Sequence, residues 1–279
     1  MKNYLGIMQG RLLPKYKGNF QAHPVGYWQD EFKIASELGF DGIEFILDYH
    51  KAILNPLFTD KGINKILSEI KNNNIQVRSI CADYFMDSPL FEEEPEKKNE
   101  NINTLKNLFL ASKKIGVTDI VIPLVDNSSI LHNTRKYKQV VSFFKSFFYQ
   151  TNIEKVNLCL ETDLPPKKFL ELVNEINQPQ IKINYDTGNS ASLGYDFYEE
   201  FETYGHLVTN IHIKDRELKG KSVQLGLGDC KFKDILTYLS NVNYKGIFIL
   251  QAFRGEDGVA SLIPQYDYIK KYFEKFFNQ

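Results

Sequence analysis

The sequence predicts a single-domain (β/α)8 barrel that spans residues 1–279. Short apolar runs rich in Ile, Leu and Val alternate with amphipathic segments, and the alternation occurs eight times without a linker or low-complexity break. A chain of 279 residues is also near the upper limit for one hydrophobic core. An open, doubly wound sheet is the alternative, although no glycine-rich phosphate loop follows the first apolar run.

The apolar runs are the predicted strands. In chain order they are YLGIMQG (4–10), GIEFIL (42–47), QVRSICA (76–82), DIVIPLV (119–125), NLCLET (157–162), IKINYDT (181–187), LVTNIHIKD (207–215) and GIFILQAFR (246–254). Parallel barrel strands are buried on both faces, which explains their nearly continuous apolar character.

The amphipathic segments between the strands predict the outer helices, because apolar residues recur there at intervals of three and four. Clear examples cover residues 29–40, 61–73, 101–116 and 136–150. Gly39, Asn73 and Gly116 are predicted helix stops. The charged run FEEEPEKKNE (91–100) is interpreted as a solvated loop that leads into the third helix.

The composition is that of a globular protein with a sizeable core, since 43% of the residues are hydrophobic and 25% are charged. The 34 basic and 35 acidic side chains give a net charge of -1, which argues against a broad basic surface for nucleic acid. Gln9 and Arg11 interrupt the apolar N-terminal residues, and no later run reaches membrane-spanning length. We therefore predict no nucleic-acid partner and no membrane association.

The three cysteines are Cys81, Cys159 and Cys230, which are odd in number and widely spaced. This pattern predicts neither a disulfide framework nor a zinc knuckle. It is typical of a reducing compartment, so we expect a cytoplasmic protein.

Polar side chains interrupt strands five to seven at regular positions. If the alternating Leu and Ile residues pack against the outer helices, then Glu161, Asp186 and His212 point into the barrel, because side chains alternate with a period of two. All three lie at the C-terminal ends of their strands, the face on which such barrels carry their chemistry. Taken singly, such an acid is usually a helix cap or ion-pair partner, and such a histidine a hydrogen-bonded core residue.

Two carboxylates and an imidazole that converge in a small space need a compensating charge, which a divalent cation provides. Gln251 lies at the matching depth on strand eight, and its carbonyl oxygen completes a set of three oxygens and one nitrogen. Such a set suits Mn, Co, Zn or Mg. The predicted metal ligands are therefore Glu161, Asp186, His212 and Gln251.

At these residues the chain resembles the sugar phosphate isomerase/epimerase family of xylose isomerase-like TIM barrels. The resemblance covers essentially the whole chain, through LGIMQGRLLP, GFDGIEF, LETD, NYDTGN, IHIKD, GLGDCKF and FILQAFR. It implies a divalent metal held by the same four positions, which chelates a substrate carbonyl and the adjacent hydroxyl while a glutamate moves a proton at carbon. Members of the family include ketose epimerases, aldose–ketose isomerases and inosose dehydratases.

The chain differs from the better-known epimerases of this family at Gln251, where they have a second glutamate, and at Asn189, where some have a histidine. We predict that the catalytic positions are Glu161, as the base, and Gln251. An amide cannot deliver a proton at neutral pH, which favours 1,2-isomerisation through an enediolate over two-base epimerisation. Asp215, Lys214 or a metal-bound water could replace the missing acid.

Cationic side chains at or just beyond the strand ends predict an anionic sugar as substrate, because guanidinium groups pair well with phosphate or carboxylate. The predicted substrate-binding residues are Arg11, Asn189, Lys214, Asp215, Arg216 and Arg254. The alternative is that two or more of these cations pair with Asp215, Glu217 or Glu44. The glycine-containing segment GLGDCKF (226–232) is predicted to be a loop before the seventh helix, either a cover over the substrate or a simple connection.

These observations predict a metal-dependent isomerase or epimerase of a sugar or sugar phosphate. They allow a homo-oligomer and do not predict the number of subunits. One alternative is a sugar-binding or regulatory barrel that lost turnover when the second acid became Gln251. The other is a DNA-repair endonuclease of the same fold, which five histidines and a net charge of -1 disfavour.

Overall fold

The computed structural model, which describes residues 3–151 and 155–277, has a closed barrel of parallel strands at its centre. The barrel strands are β1 (Leu5–Met8), β2 (Gly42–Ile46), β3 (Gln76–Cys81), β4 (Asp119–Leu124), β5 (Asn157–Thr162), β6 (Ile181–Asp186), β7 (Val208–Ile213) and β8 (Ile247–Leu250). Each strand pairs with its neighbours in chain order, and β1 closes the barrel by pairing Leu5 with Phe248 of β8. The predicted fold class and the eight predicted strands are confirmed.

Helices surround the barrel and connect its strands. They are α1 (Asp30–Leu38), α2 (Asp60–Asn73), α3 (Tyr84–Asp87), α4 (Pro95–Ile115), α5 (Thr134–Gln150), α6 (Pro166–Ile176), α7 (Thr187–Leu193), α8 (Phe197–Tyr204), α9 (Phe232–Asn241) and α10 (Gly258–Phe276). A short hairpin of Asp215–Arg216 and Ser222–Val223 follows β7 at the mouth of the barrel.

The helix ends follow local chemistry. Gly39 and Gly116 adopt left-handed backbone angles, with φ of 85° and 95°, immediately after α1 and α4, so these two predicted stops are confirmed. Asn73 is the last residue of α2, and the left-handed cap is the next residue, Asn74, with φ of 52°. Thr59 caps the N-terminus of α2, where its hydroxyl accepts a hydrogen bond from the N–H of Gly62 at 3.0 Å.

The charged run at 91–100 is only partly the loop that the sequence predicts. Residues 93–100 are exposed to solvent, as expected. However, α4 already begins at Pro95, so the second half of the run forms its first turns. Proline is well suited to the first position of a helix, and Glu96 in the first turn interacts favourably with the helix dipole. These local preferences extend the helix beyond its apolar pattern.

Two groups of apolar side chains stabilise the fold. The larger lies between the strands and the outer helices, and it includes the outward-facing Leu158, Leu160 and Ile211. The smaller fills the barrel interior and consists of Tyr4, Met8, Ile46, Cys81, Val121, Cys159, Ile247 and Ile249. Successive side chains of a strand alternate between these two groups. The polar residues of β5–β7 occupy the inward positions nearest the C-terminal ends of the strands.

The three cysteines, Cys81, Cys159 and Cys230, are free thiols. Over residues 3–151 and 155–277, no helix combines the length and apolar character needed to cross a lipid bilayer.

A buried carboxyl group at the start of α1 makes stability depend on pH. Glu31 is 0% exposed, and its Oε1 accepts a hydrogen bond from the N–H of Leu12 at 3.1 Å. Burial raises the pKa of Glu31 to about 7, although the backbone N–H groups of Gly10 and Leu12 oppose the shift. The folded protein therefore binds this proton more tightly than the unfolded chain does. The contribution of protonated Glu31 to stability is fully present below pH 4.5 and is lost as the pH rises through 7.

The Glu31→Gln substitution is therefore expected to raise the free energy of unfolding by about 1–3 kcal/mol at pH 8.5 and to change it little at pH 4.5. The amide removes the cost of a buried negative charge and retains an oxygen for Leu12. Urea unfolding across this pH range measures the effect. The matched control is Glu37→Gln on the same helix, because the Glu37 side chain is 63% exposed. Equal effects of the two substitutions at every pH would contradict the assignment.

Candidate active site

Three side chains converge at the C-terminal ends of neighbouring strands. Glu161 on β5, Asp186 on β6 and His212 on β7 are buried, and each offers a ligand atom within 4.8 Å of the others. The Leu and Ile residues between them face the helices, so the inward direction that the period-two pattern predicts is confirmed. The structure therefore brings three of the four predicted metal ligands together.

Hydrogen bonds hold both carboxylates in place. Glu161 accepts from the side-chain amides of Asn184, at 2.7 Å to Oε2, and Asn189, at 2.6 Å to Oε1. Asp186 caps α7 by accepting the backbone N–H of Asn189 at 2.8 Å. The Nζ of Lys214 lies 3.4 Å from the other oxygen of Asp186. The group is thus fixed by its neighbours, with Lys214 as its nearest cation.

The imidazole of His212 lies between two carboxylates. Its Nε2 is 2.8 Å from Oε1 of Glu44 on β2, and its Nδ1 is 3.5 Å from Oε2 of Glu161. The second oxygen of Glu44 accepts from the hydroxyl of Ser79 and from the amide of Asn210, the latter at 3.2 Å. The contact between Nε2 and Glu44 is short enough for a hydrogen bond, which the negative charge of the carboxylate favours. Nδ1 therefore faces the Glu161–Asp186 side, and Nε2 faces Glu44.

The electrostatics of this group reflect crowded negative charge. Burial, and then the neighbouring Asp186, raise the pKa of Glu161 to about 7. Burial lowers the pKa of His212, but the surrounding carboxylates, Glu44 first, outweigh it and raise the pKa to about 9. Converging carboxylates in a poorly solvated space are stabilised by a cation.

Gln251 follows β8 and is 8% exposed. Its Nε2 donates a hydrogen bond to Oε1 of Gln21 at 3.0 Å. Its own Oε1 is buried and has no hydrogen-bond partner among residues 3–151 and 155–277. An unpaired buried carbonyl oxygen carries a desolvation cost that a bound cation would offset.

The donor set fits a divalent cation. The carboxylates of Glu161 and Asp186 and the imidazole of His212 supply two oxygens and one nitrogen, and the unpaired Oε1 of Gln251, after the neighbouring strand, would add a third oxygen. Mixed sets of this kind occur with several divalent metals. Glu44 beside the far ring nitrogen has the position of the carboxylate that commonly accompanies a metal-bound histidine.

Three of the predicted substrate-binding residues lie together beside Asp186. Asn189 accepts from Nη1 of Arg216 at 2.9 Å and from Nζ of Lys214 at 3.3 Å. Arg216 also donates to the carbonyl of Gly220 inside the hairpin. Lys214 is the cation of this group that also faces the candidate metal ligands, with a side chain that is 16% exposed.

Arg11 and Arg254, by contrast, are buried. Arg11 donates to the carbonyl of Ala252 at 2.9 Å, and Arg254 donates to the carbonyl of Leu13 at 2.7 Å. The two side chains thereby join the loop after β1 to the segment after β8. Each retains one N–H that has no partner in the described part of the chain, Nη1 of Arg11 and Nε of Arg254, and both are enclosed by protein. A contact with substrate therefore requires the loop after β1 to move.

Asp215 has a structural use in the fold. Its carboxylate accepts the backbone N–H groups of Gly226, Gly228 and Cys230 at 2.8, 3.0 and 3.1 Å. These bonds fix the base of the predicted glycine loop, and α9 begins directly after it at Phe232. Because this carboxylate is 0% exposed and occupied by the loop, the geometry does not support its predicted contact with substrate.

The predicted site residues do not include Glu44, which the sequence suggests only as an ion-pair partner of a cation, or two residues linked to Gln251: Gln21, which accepts from Gln251, and Asp83, which accepts from Gln21 at 2.6 Å. Glu44 had a signal, since a charged residue inside the apolar run GIEFI needs a partner. Gln21 and Asp83 lie in irregular segments, where no periodicity indicates the direction of a side chain.

The geometry agrees with comparisons to known proteins. Residues 32–272 match the model of a family described as xylose isomerase-like TIM barrel. The chain is 22% identical over 261 residues to L-ribulose-5-phosphate 3-epimerase UlaE of Shigella flexneri serotype 5b (strain 8401), an alignment that covers 90% of this chain and 92% of that protein. Two solved structures share the fold.

The first is D-psicose 3-epimerase with D-tagatose from Clostridium cellulolyticum H10, with a TM-score of 0.76, 15% identity and 99% of both chains covered. The second is IOLI protein with a binding zinc atom, with a TM-score of 0.73, 18% identity and 100% of both chains covered.

Proposed function

Because the chain belongs to the xylose isomerase-like TIM barrel family, we propose that it is a divalent-metal-dependent isomerase or epimerase of a sugar or sugar phosphate. The chain is an enzyme, and its alignment with L-ribulose-5-phosphate 3-epimerase supports this class of substrate. The observation that carries the proposal is the convergence of Glu161, Asp186 and His212 within 4.8 Å. The buried, unpaired oxygen of Gln251, just after the strand that pairs with the strand of His212, supports it.

Glu161 is the proposed base. Its carboxylate is held by two side-chain amides, so its direction is fixed before substrate binds. It removes a proton from the carbon next to the substrate carbonyl and thereby forms an enediolate. A divalent cation held by Glu161, Asp186, His212 and Gln251 would supply the positive charge that favours this proton loss.

The amide at Gln251 bears on which reaction follows. Isomerisation returns the proton on the same face of the intermediate and needs Glu161 alone. Epimerisation also needs a donor on the opposite face, a role that the amide of Gln251 cannot fill. Lys214 is the remaining titratable candidate from the sequence, because its Nζ lies 3.4 Å from Asp186 whereas Asp215 is enclosed by its loop. We therefore propose isomerisation as the simpler reaction, with epimerisation dependent on Lys214.

Solvent exchange tests the proposed function. The protein is incubated in D2O with Mn2+ and a panel of ketoses, aldoses and their phosphates, and deuterium incorporation and products are followed by NMR. An isomerase or epimerase incorporates deuterium at carbon and forms the corresponding product. Binding of a sugar without exchange across the panel would favour the alternative, a sugar-binding barrel in which Gln251 marks the loss of turnover.

Lys214 also makes a phosphorylated substrate testable. If its ammonium group contacts a substrate phosphate, Lys214→Gln is expected to raise KM for a sugar phosphate by about tenfold and to change KM for the unphosphorylated sugar much less. The matched control is Lys221→Gln, which makes the same change at an exposed position of the same hairpin segment. Equal effects on both substrates would show that Lys214 does not recognise the phosphate.

A further inference from the structure

A chain of side-chain hydrogen bonds runs from the loop after β1 to the end of β8. Gln21, in that loop, accepts at its Oε1 from Nη2 of Arg11 at 2.8 Å and from Nε2 of Gln251 at 3.0 Å. Its Nε2 donates to Oδ2 of Asp83 at 2.6 Å. We call these four residues, Arg11, Gln21, Asp83 and Gln251, the amide chain.

Arg11 determines which groups donate and which accept hydrogen bonds along the amide chain. A guanidinium group only donates hydrogen bonds, so the atom of Gln21 that faces Arg11 must be the oxygen. Arg11 is itself held by its bond to the carbonyl of Ala252 and is 2% exposed. At its other end, Gln21 meets the acceptor that this direction requires, the carboxylate of Asp83.

The orientation of the Gln21 side-chain amide determines the orientation of the Gln251 side-chain amide. Because Gln251 meets an acceptor, its NH2 group must face Gln21, and its Oε1 must point the other way. This Oε1 is the buried oxygen that has no partner among the described residues. A carboxylate at position 251 would instead place an acceptor against the oxygen of Gln21, which the amide chain disfavours.

We propose that Gln21 is a positioning residue that directs the Oε1 of Gln251 toward the metal position, and that the amide chain is the reason for an amide at residue 251. The inference rests on the proposed function, because it requires that the site bind a divalent metal. It assigns Gln21 no contact with substrate or metal.

The first test removes the acceptor. Gln21→Leu frees the amide of Gln251 to rotate, so the affinity for Co2+, measured by titration of the visible absorption of the bound ion, is expected to fall about tenfold. The spectrum of the bound ion is expected to change as one oxygen ligand is lost. The matched control is Gln29→Leu, because Gln29 lies just before α1 and makes no capping hydrogen bond.

The second test exchanges the partners within the amide chain. Gln21→Glu places two carboxylates against each other at the Asp83 end, so the wild-type spectrum and affinity should be lost. Adding Asp83→Asn restores a donor to that pair, so the double variant should recover the wild-type spectrum and at least most of the affinity. Circular dichroism shows whether each variant is folded.

The outcomes separate the two proposals. Wild-type affinity and spectrum in the folded Gln21→Leu protein, or failure of Asp83→Asn to rescue Gln21→Glu, overturns the role of Gln21. Either result leaves the proposed function intact if the wild-type protein binds Co2+. If the wild-type protein binds no divalent metal, the proposed function itself fails.

Discussion

The Glu161→Gln substitution is expected to reduce metal-dependent exchange of substrate hydrogen with D2O by about 10²- to 10⁴-fold. The amide has nearly the same shape as the carboxylate but cannot accept a proton from carbon at neutral pH. Asn184 and Asn189 both donate to Glu161, at 2.7 and 2.6 Å, and the amide oxygen can accept from one of them. The change should therefore remove proton transfer and keep one of the two hydrogen bonds, while its NH2 group faces the other donor. NMR of the exchange reaction measures the loss.

Two controls make this result specific. Glu161 is also a proposed metal ligand, so the Glu161→Gln variant and the wild type are compared at saturating Mn2+. The bound metal is determined directly in each protein. Asp163→Asn makes the same chemical change two residues later, where the carboxylate accepts from the hydroxyl of Ser129 at 2.6 Å, outside the candidate metal ligands. This control should exchange at close to the wild-type rate. Wild-type exchange by metal-loaded Glu161→Gln would assign the base to another residue.

The sequence contains enough information to predict the barrel and the convergence of three of the four candidate metal ligands. A period of two needs no knowledge of distant contacts, so the alternation in β5, β6 and β7 determines that Glu161, Asp186 and His212 face inward. The strand ends then bring them together because a parallel barrel aligns all its C-terminal ends.

Residues beyond the strand ends show where such prediction stops. Arg11 and Arg254 are cations at the active face in the sequence, yet each donates to a backbone carbonyl of the other's segment and is buried. Buried carbonyl groups need partners, and which cation supplies one depends on the path of two loops. The same dependence explains why Asp215 binds the N–H groups of its own following loop.

The Glu44→Gln substitution is expected to weaken divalent-metal binding by about 10- to 100-fold, although Glu44 is not a proposed ligand. Oε1 of Glu44 lies 2.8 Å from Nε2 of His212, whereas its Oε2 accepts from Ser79 and Asn210. A glutamine has one acceptor oxygen, so its NH2 group must face either those donors or the ring nitrogen. In the wild type, the Glu44 carboxylate keeps the imidazole proton at Nε2, so that Nδ1 is free for the metal. The variant lacks this carboxylate.

Competition with a chelator for Mn2+ measures the loss. The control is Glu217→Gln, on the exposed part of the hairpin, which changes the net charge equally without touching His212. Equal affinities of the Glu44→Gln protein and the wild type would mean that His212 is oriented without Glu44.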